Sequence, residues 1–182
     1  MSEPPPAQGQ GALQRGEIAL IGIGSNLHGP VKQVRAAIHD LAHLPGSALV
    51  AASSLYWSPP LGGLPQPPYV NAVAAVRTIR APLALLAHLQ AIERRHGRRP
   101  SRTRWASRNL DLDVLTYGDL RLDTPRLRLP HPGIPERAFV LIPIREMFGP
   151  DYRVRGLGTV SELLERCPVM ALTQVTDDHA SD

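Results

Sequence analysis

Two acids stand at a spacing that suits chemistry. Leu110-Asp111-Leu112-Asp113-Val114-Leu115 alternates acidic and apolar residues, and in a strand this period of two puts both carboxylates on one face and the leucines and Val114 on the other. The two Cα atoms would lie about 7 Å apart. Unit charges at that distance repel by about 2 kcal/mol at an effective dielectric of 20, a cost that a divalent cation would relieve. Mg²⁺ commonly takes one or two carboxylates and completes its shell with water and phosphate oxygens. Taken alone, an Asp-x-Asp pair is more often the solvated face of an ordinary strand.

The neighbouring residues change that balance. Arg94, Arg95, Arg98, Arg99, Arg102, Arg104 and Arg108 run directly into this strand with Glu93 as the single acid, so residues 93–108 carry +6 in a chain whose net charge is +4. Of the 20 basic residues only Lys32 is lysine; codon bias accounts for part of that, but not for the clustering. Such a patch addresses a polyanion, either nucleic acid or the phosphates of a nucleotide. Carboxylates able to hold Mg²⁺ beside guanidinium donors have the composition of a phosphoryl-transfer centre, where positioning and charge neutralisation do most of the work. Some of the seven arginines belong simply to a solvated loop. Arg94 and Arg95 fall in the last turn of an expected helix, where the dipole favours cations, and read as structural.

Other nucleotide-handling classes fit poorly. There is no Gly-x-x-x-x-Gly-Lys-Ser/Thr segment, which excludes a P-loop. Gly22-x-Gly24 follows a strand, but the third glycine of a dinucleotide fold would fall at Leu27. Gly24-Ser25 with a later Asp-x-Asp suggests polymerase-related nucleotidyltransferases, yet 86 positions separate Ser25 from Asp111. The chain has only eight aromatic residues besides histidine. Trp57, Tyr69 and Trp105 border two long loops and Phe139 follows Pro130-His131-Pro132, positions that suit stacking on a planar heterocycle. Tyr69 and Phe139 could equally be core residues.

These groups need a frame, and 182 residues with 43% hydrophobic and 20% charged content predict one folded domain with a sizeable core. Cys167 is the only cysteine, which excludes an internal disulfide and a cysteine-rich metal site. No apolar run reaches about 18 residues and the N-terminal segment has no signal-peptide core, so a cytoplasmic protein is expected. Residues 1–16 and 176–182 read as disordered tails flanking a unit at 17–175. Within it, strands are expected at 17–23, 47–57, 69–79, 109–117 and 169–175, with extended chain at 121–129. Helices are expected from Pro30 to Pro45, from Pro82 to about His96 with Leu83, Leu86, Leu89 and Ile92 inward, and at 136–147 and 160–166. Five prolines and two glycines make 59–69 a long loop. The order is that of a split βαβ unit, an α+β sandwich of ferredoxin-like type with a mainly antiparallel sheet and helices packed on it.

At this point the residues match a known family. Ile23-Gly24-Ser25-Asn26-Leu27, Ser58-Pro59-Pro60-Leu61-Gly62, Gln66-Pro67, Tyr69-Val70-Asn71-Ala72, Ile92-Glu93, Gly97-Arg98, the run Arg104 to Asp113, Leu129-Pro130-His131 and Arg137-Ala138-Phe139-Val140 occur in order. Through them the chain resembles the 6-hydroxymethyl-7,8-dihydropterin pyrophosphokinases over residues 17–175.

The resemblance implies a ferredoxin-like fold and transfer of pyrophosphate from ATP to the pterin hydroxymethyl group, with release of AMP, in folate biosynthesis. It implies that Asp111 and Asp113 hold two Mg²⁺ ions and that Arg98 and Arg108 stabilise charge during transfer. ATP would meet Gln90, Glu93, Arg104, Trp105, Arg108, Val114, Arg126, His131 and Arg137. The pterin would stack between Tyr69 and Phe139, bond to Asn71 and lie against Ser58, Pro59 and Leu61. The partners so implied are small molecules, with neither nucleic acid nor membrane, and the protein would act as a monomer. Ala106-Ser107 stands where the family most often has Gly-Pro, Pro132 where some members have tyrosine, and Pro100 where some have an arginine. The alternative, an RNA-binding module built on the Arg-rich loop, would have no need of Asp111 or Asp113. A homologue that binds pterin without catalysis should lack one of these acids, and both are present.

Overall fold

The computed structural model of the protein describes residues 15–61, 65–97 and 107–176. In chain order the elements are β1 (Glu17–Ser25), α1 (Pro30–Ala42), β2 (Ser47–Ala52), β3 (Tyr56–Ser58), β4 (Tyr69–Thr78), α2 (Pro82–Arg95), β5 (Asp111–Tyr117), β6 (Leu122–Asp123) and β7 (Arg128–Leu129). A 3-10 turn (Ile134–Glu136), α3 (Ala138–Phe148), β8 (Arg153–Val154), β9 (Gly158–Thr159), α4 (Val160–Arg166) and β10 (Thr173–Gln174) follow. In the main sheet β1 lies between β4 and β5, β2 and β3 both pair with β4, and β10 adds to β3; every pairing is antiparallel. This is the expected α+β sandwich of ferredoxin-like type.

Alternation along the central strands sorts the core into two layers. Ala19, Ile21 and Ile23 of β1, Val70, Ala72, Ala74 and Val76 of β4, and Leu112 and Val114 of β5 pack with α1 and α2. Pro30 and Pro82 start those helices, where the missing N–H costs nothing. Each helix turns an apolar stripe to the sheet: Val31, Val34, Ala37 and Leu41 from α1, and Leu85, Leu89 and Ile92 from α2.

On the opposite face Leu20, Val73, Ala75 and Leu115 are covered by Val140, Leu141 and Ile144 of α3 and Val160 and Leu163 of α4. A reciprocal capping box starts α4: the Glu162 N–H donates to Thr159 Oγ1 and the Thr159 N–H to Glu162 Oε2. The C-terminal helices reach only part of this face, and the rest carries Gly22, Gly24, Asn71, Asp111 and Asp113.

Several local expectations differ from the structure. The single strand at 47–57 is two strands, because Ser53 breaks the ladder: its hydroxyl accepts the Val73 N–H, while Glu146 takes the Ser54 N–H. The segment at 121–129 is a short hairpin in which Thr124 bonds back to Leu127 around Pro125. The last strand shrinks to Thr173–Gln174, which among the described residues pairs with the three-residue β3, and Val169 is fully exposed. β5 begins at Asp111, since the Asn109 carbonyl and side chain serve other contacts. Leu83 is exposed and Leu85 takes the inward position, in register with Leu89 and Ile92. The expected tails lie outside the described residues, except for Arg15, Gly16 and Thr176.

Candidate active site

A cavity of about 330 Å³ opens on the uncovered part of the sheet. Its floor is built by β1 at Gly22 and Gly24. In the antiparallel register Gly22 lies opposite Asp113 and Val73, and Gly24 opposite Asp111 and Asn71, so these residues share one face. The two glycines leave the centre of that face without side chains. A Cβ on Gly24 would sit 3.4 Å from Asn71 Oδ1, and one on Gly22 would sit 3.3 Å from Leu115 Cδ2. As motifs Gly22 and Gly24 fit neither a dinucleotide fold nor a polymerase-related nucleotidyltransferase, and the family resemblance gives neither glycine a role. Their signal was parity, because they continue the face that Ile18 and Leu20 begin.

Eleven of the expected site residues line this one cavity: Ser58, Pro59, Leu61, Tyr69, Asn71, Arg108, Asp111, Asp113, His131, Arg137 and Phe139. The alternation expected for Asp111 and Asp113 holds, with both on the cavity face and Leu112 and Val114 in the opposite core layer. Four expected residues are not among those lining it. Gln90 is exposed on α2, and Arg126 is exposed between β6 and β7. Val114 is buried in the core. Glu93 is 3% exposed, and its Oε1 accepts the Leu112 N–H of β5 at 2.8 Å. Arg98, Arg104 and Trp105 lie outside the described residues.

The charged wall is paired. Arg108 Nη1 is 2.6 Å from Asp111 Oδ2, and Arg137 Nη1 is 3.5 Å from Asp113 Oδ2. Asp113 sits deep in the cavity, where desolvation first and the Asp111 charge second push its pKa up, with His131, Arg137 and Arg108 opposing. Water still reaches it, for 39% of its side chain stays accessible. Burial pushes the His131 pKa down against the pull of Asp113, favouring a neutral ring. The Gly133 N–H donates to His131 Nδ1 at 3.0 Å, which places the ring proton on Nε2. The His131 N–H bonds the Leu115 carbonyl and fixes this segment to β5.

The opposite wall combines rings with one oriented amide. Asn71 is 5% exposed, and its Nδ2 donates to Ser58 Oγ at 2.9 Å. Its Oδ1 lies beside the open floor at Gly24, so the amide offers an acceptor there. Tyr69 contributes from β4 and Phe139 from the first turn of α3. The Arg137 guanidinium carbon lies 5.9 Å from the centre of the Phe139 ring, which joins the aromatic wall to the charged one.

Three segments meet at the rim around Asn26, which is 2% exposed. Its N–H donates to the Arg108 carbonyl and its Oδ1 accepts the Arg108 N–H at 2.8 Å. Its Nδ2 is within reach of Gln66 Oε1, the Pro67 carbonyl and Ser107 Oγ. All of these residues fall in segments that carry the family resemblance, but nothing in the sequence says that they meet, since Gln66 and Ser107 lie 40 and 81 positions from Asn26.

Comparison with known proteins identifies the family and the fold. A sequence model of the family described as 7,8-dihydro-6-hydroxymethylpterin-pyrophosphokinase (HPPK) matches residues 20–149, more than half of the chain. The chain is 47% identical over 156 residues to the 2-amino-4-hydroxy-6-hydroxymethyldihydropteridine pyrophosphokinase of Pseudomonas aeruginosa, covering 86% of this chain and 93% of that one. It is 46% identical over 129 residues to the protein of the same name from Haemophilus influenzae, covering 71% and 80%. The fold is similar to that of wild-type Plasmodium falciparum HPPK-DHPS solved with pteroate, with a TM-score of 0.65 and 13% identity over 83% of this chain. The chain spans less than half the length of that larger protein, 42%.

Proposed function

The chain belongs to the 7,8-dihydro-6-hydroxymethylpterin-pyrophosphokinase family, and from that premise we propose that it transfers pyrophosphate from ATP to the hydroxymethyl group of 6-hydroxymethyl-7,8-dihydropterin, in folate biosynthesis. The hydroxyl oxygen bonds to the β-phosphorus, the bond from that phosphorus to the α–β bridging oxygen breaks, and AMP leaves. The observation that carries this reading is the joining, in one cavity, of paired carboxylates, two arginines and two aromatic rings around a glycine floor.

On the pterin side, Tyr69 and Phe139 supply ring faces and Asn71 Oδ1 an acceptor for the N–H groups of the heterocycle. Ser58 holds the Asn71 amide in that orientation, and Pro59 and Leu61 complete the apolar wall. Gly24 makes room beneath. Gly24→Val is expected to weaken pterin binding about tenfold or more by filling that floor, while ATP binding changes little. Calorimetric titration with each ligand checks this, and unchanged pterin affinity would place the heterocycle elsewhere.

On the nucleotide side, Asp111 and Asp113 offer only hard oxygen donors, and among the described residues no group of three His, Cys, Asp or Glu side chains could hold a metal. Such a pair fits Mg²⁺ that draws the rest of its shell from phosphates and water. Two Mg²⁺ ions held there would neutralise phosphate charge and bring ATP and the pterin hydroxyl to one centre. Arg108 and Arg137 balance the carboxylates before ligand arrives, and their planar donor forks can pass to phosphate oxygens. Neutral His131, with its proton on Nε2, supplies a further donor. Gln90, Glu93, Arg104, Trp105, Val114 and Arg126 complete the proposed ATP contacts, and Arg98 joins Arg108 in stabilising transferring charge; for these seven the support is the family resemblance.

The same reading takes residues 17–175 as the catalytic unit, a cytoplasmic monomer acting without nucleic acid or membrane. Among the described residues no helix is long and apolar enough to cross a membrane.

The decisive assay supplies ATP, Mg²⁺ and either the hydroxymethyl pterin or an analogue lacking the hydroxyl. AMP should form only with the former. Formation of ADP instead would refute pyrophosphoryl transfer.

A further inference from the structure

The segment that carries Arg108 and the segment that leads into Tyr69 are both bonded to Asn26, and they also meet directly through the Ser107 hydroxyl. Ser107 Oγ donates to Gln66 Oε1 at 3.2 Å and accepts from Asn26 Nδ2 at 3.2 Å. Gln66 Oε1 also accepts the Tyr69 hydroxyl at 3.2 Å. The next residue, Arg108, bonds Asn26 through both backbone groups and Asp111 through its guanidinium. A continuous path therefore leads from the ring that walls the pterin side, through Gln66 and Ser107, to the arginine and carboxylate of the nucleotide side.

We propose that the Ser107 hydroxyl is a positioning group that couples the two halves of the site, so that each substrate binds more tightly once the other is in place. The inference rests on the pyrophosphokinase reading for the identity of the two ligands. A ligand on either side holds its own segment still. The hydroxyl passes that order across, and the second ligand then meets a segment whose freedom is already reduced. Asn26 holds the same segments together, but it is buried and bonded to the backbone of Arg108, so its loss would disturb the fold. Ser107 is half-buried and adds its bonds from the rim. A proline here, which the family resemblance leads one to expect, has no hydroxyl to give.

The test compares wild type with Ser107→Ala and Ser107→Thr. Calorimetry gives the affinity for the hydroxymethyl pterin with and without a nonhydrolysable ATP analogue and Mg²⁺, and the ratio is the coupling. Loss of one neutral hydrogen bond should lower that ratio about fivefold in Ser107→Ala, with each ligand alone bound within about twofold of wild type, and Ser107→Thr should restore it. In a Gln66→Ala background the further substitution of Ser107 should add nothing. An unchanged ratio in Ser107→Ala, or an equal drop in the Gln66→Ala background, would overturn the proposal. Amide exchange of the ligand-free protein separates this from the functional reading: Arg108 and Tyr69 should exchange several-fold faster in Ser107→Ala whatever the wild type binds. Unchanged exchange there would also overturn it. Failure of wild type to release AMP would count against the pyrophosphokinase alone.

Discussion

Asp111→Asn and Asp113→Asn are each expected to lower AMP release by roughly 10³-fold or more while the protein stays folded, because one metal-binding charge is lost and the side-chain shape is kept. The paired walls explain why folding should survive. Both carboxylates face a cavity and not the core, and asparagine can still accept a hydrogen bond from the guanidinium that each now meets. The sign of the stability change at Asp113 follows from its environment. Burial and the Asp111 charge raise its pKa in the folded state, so ionised Asp113 opposes folding at neutral pH, and that cost vanishes as pH falls below the carboxylate range. Asp113→Asn should therefore hold or raise the melting temperature at pH 7, and the gain should fade on acidification. Melting curves and AMP release on the same two variants, with and without Mg²⁺-ATP, check both halves. Folded variants with near-normal turnover would remove the carboxylates from the reaction.

Arg108→Ala should lower kcat by about 10²-fold or more and raise KM for ATP much less, since a guanidinium aimed at the transferring group matters most when charge is shifting. Its placement supports that role. Arg108 is anchored at both backbone groups by Asn26 and lies against Asp111, so its donors start beside the carboxylates that would hold metal. Arg95 provides the contrast. It pairs with Asp40 at 3.2 Å with 63% of its side chain exposed, and exposed pairs contribute little. Arg95→Ala and Arg94→Ala should leave turnover within about twofold of wild type. Equal, small effects from Arg108 and Arg95 would reduce the cluster to a diffuse basic patch.

Much of the molecule was legible because the signals are local. Alternation from Leu110 to Leu115 by itself places Asp111 and Asp113 on one face, and β5 keeps that arrangement. Pro30 and Pro82 marked two helix starts, and the order of strands and helices indicated a ferredoxin-like sandwich. Errors fell where a side chain competes with the backbone or a strand is too short to carry its own pattern. Ser53 splits one expected strand in two, and Val169 to Leu172 joins no ladder among the described residues.

Period and composition cannot say how far a helix will reach across a sheet. Gly22 and Gly24 became a cavity floor only because α3 and α4 stop over Leu20, Val73, Ala75 and Leu115 and leave the rest of that face open. Gathering Arg108, His131, Arg137 and Phe139 around one space likewise required the register of β1 with β5 and the bond from His131 to Leu115. The contact of Ser107 with Gln66 spans 41 positions. Residue types and local spacing determined which groups could do chemistry; the docking of distant segments, driven by burial of apolar faces that carry no information about one another's position, decided which of them meet.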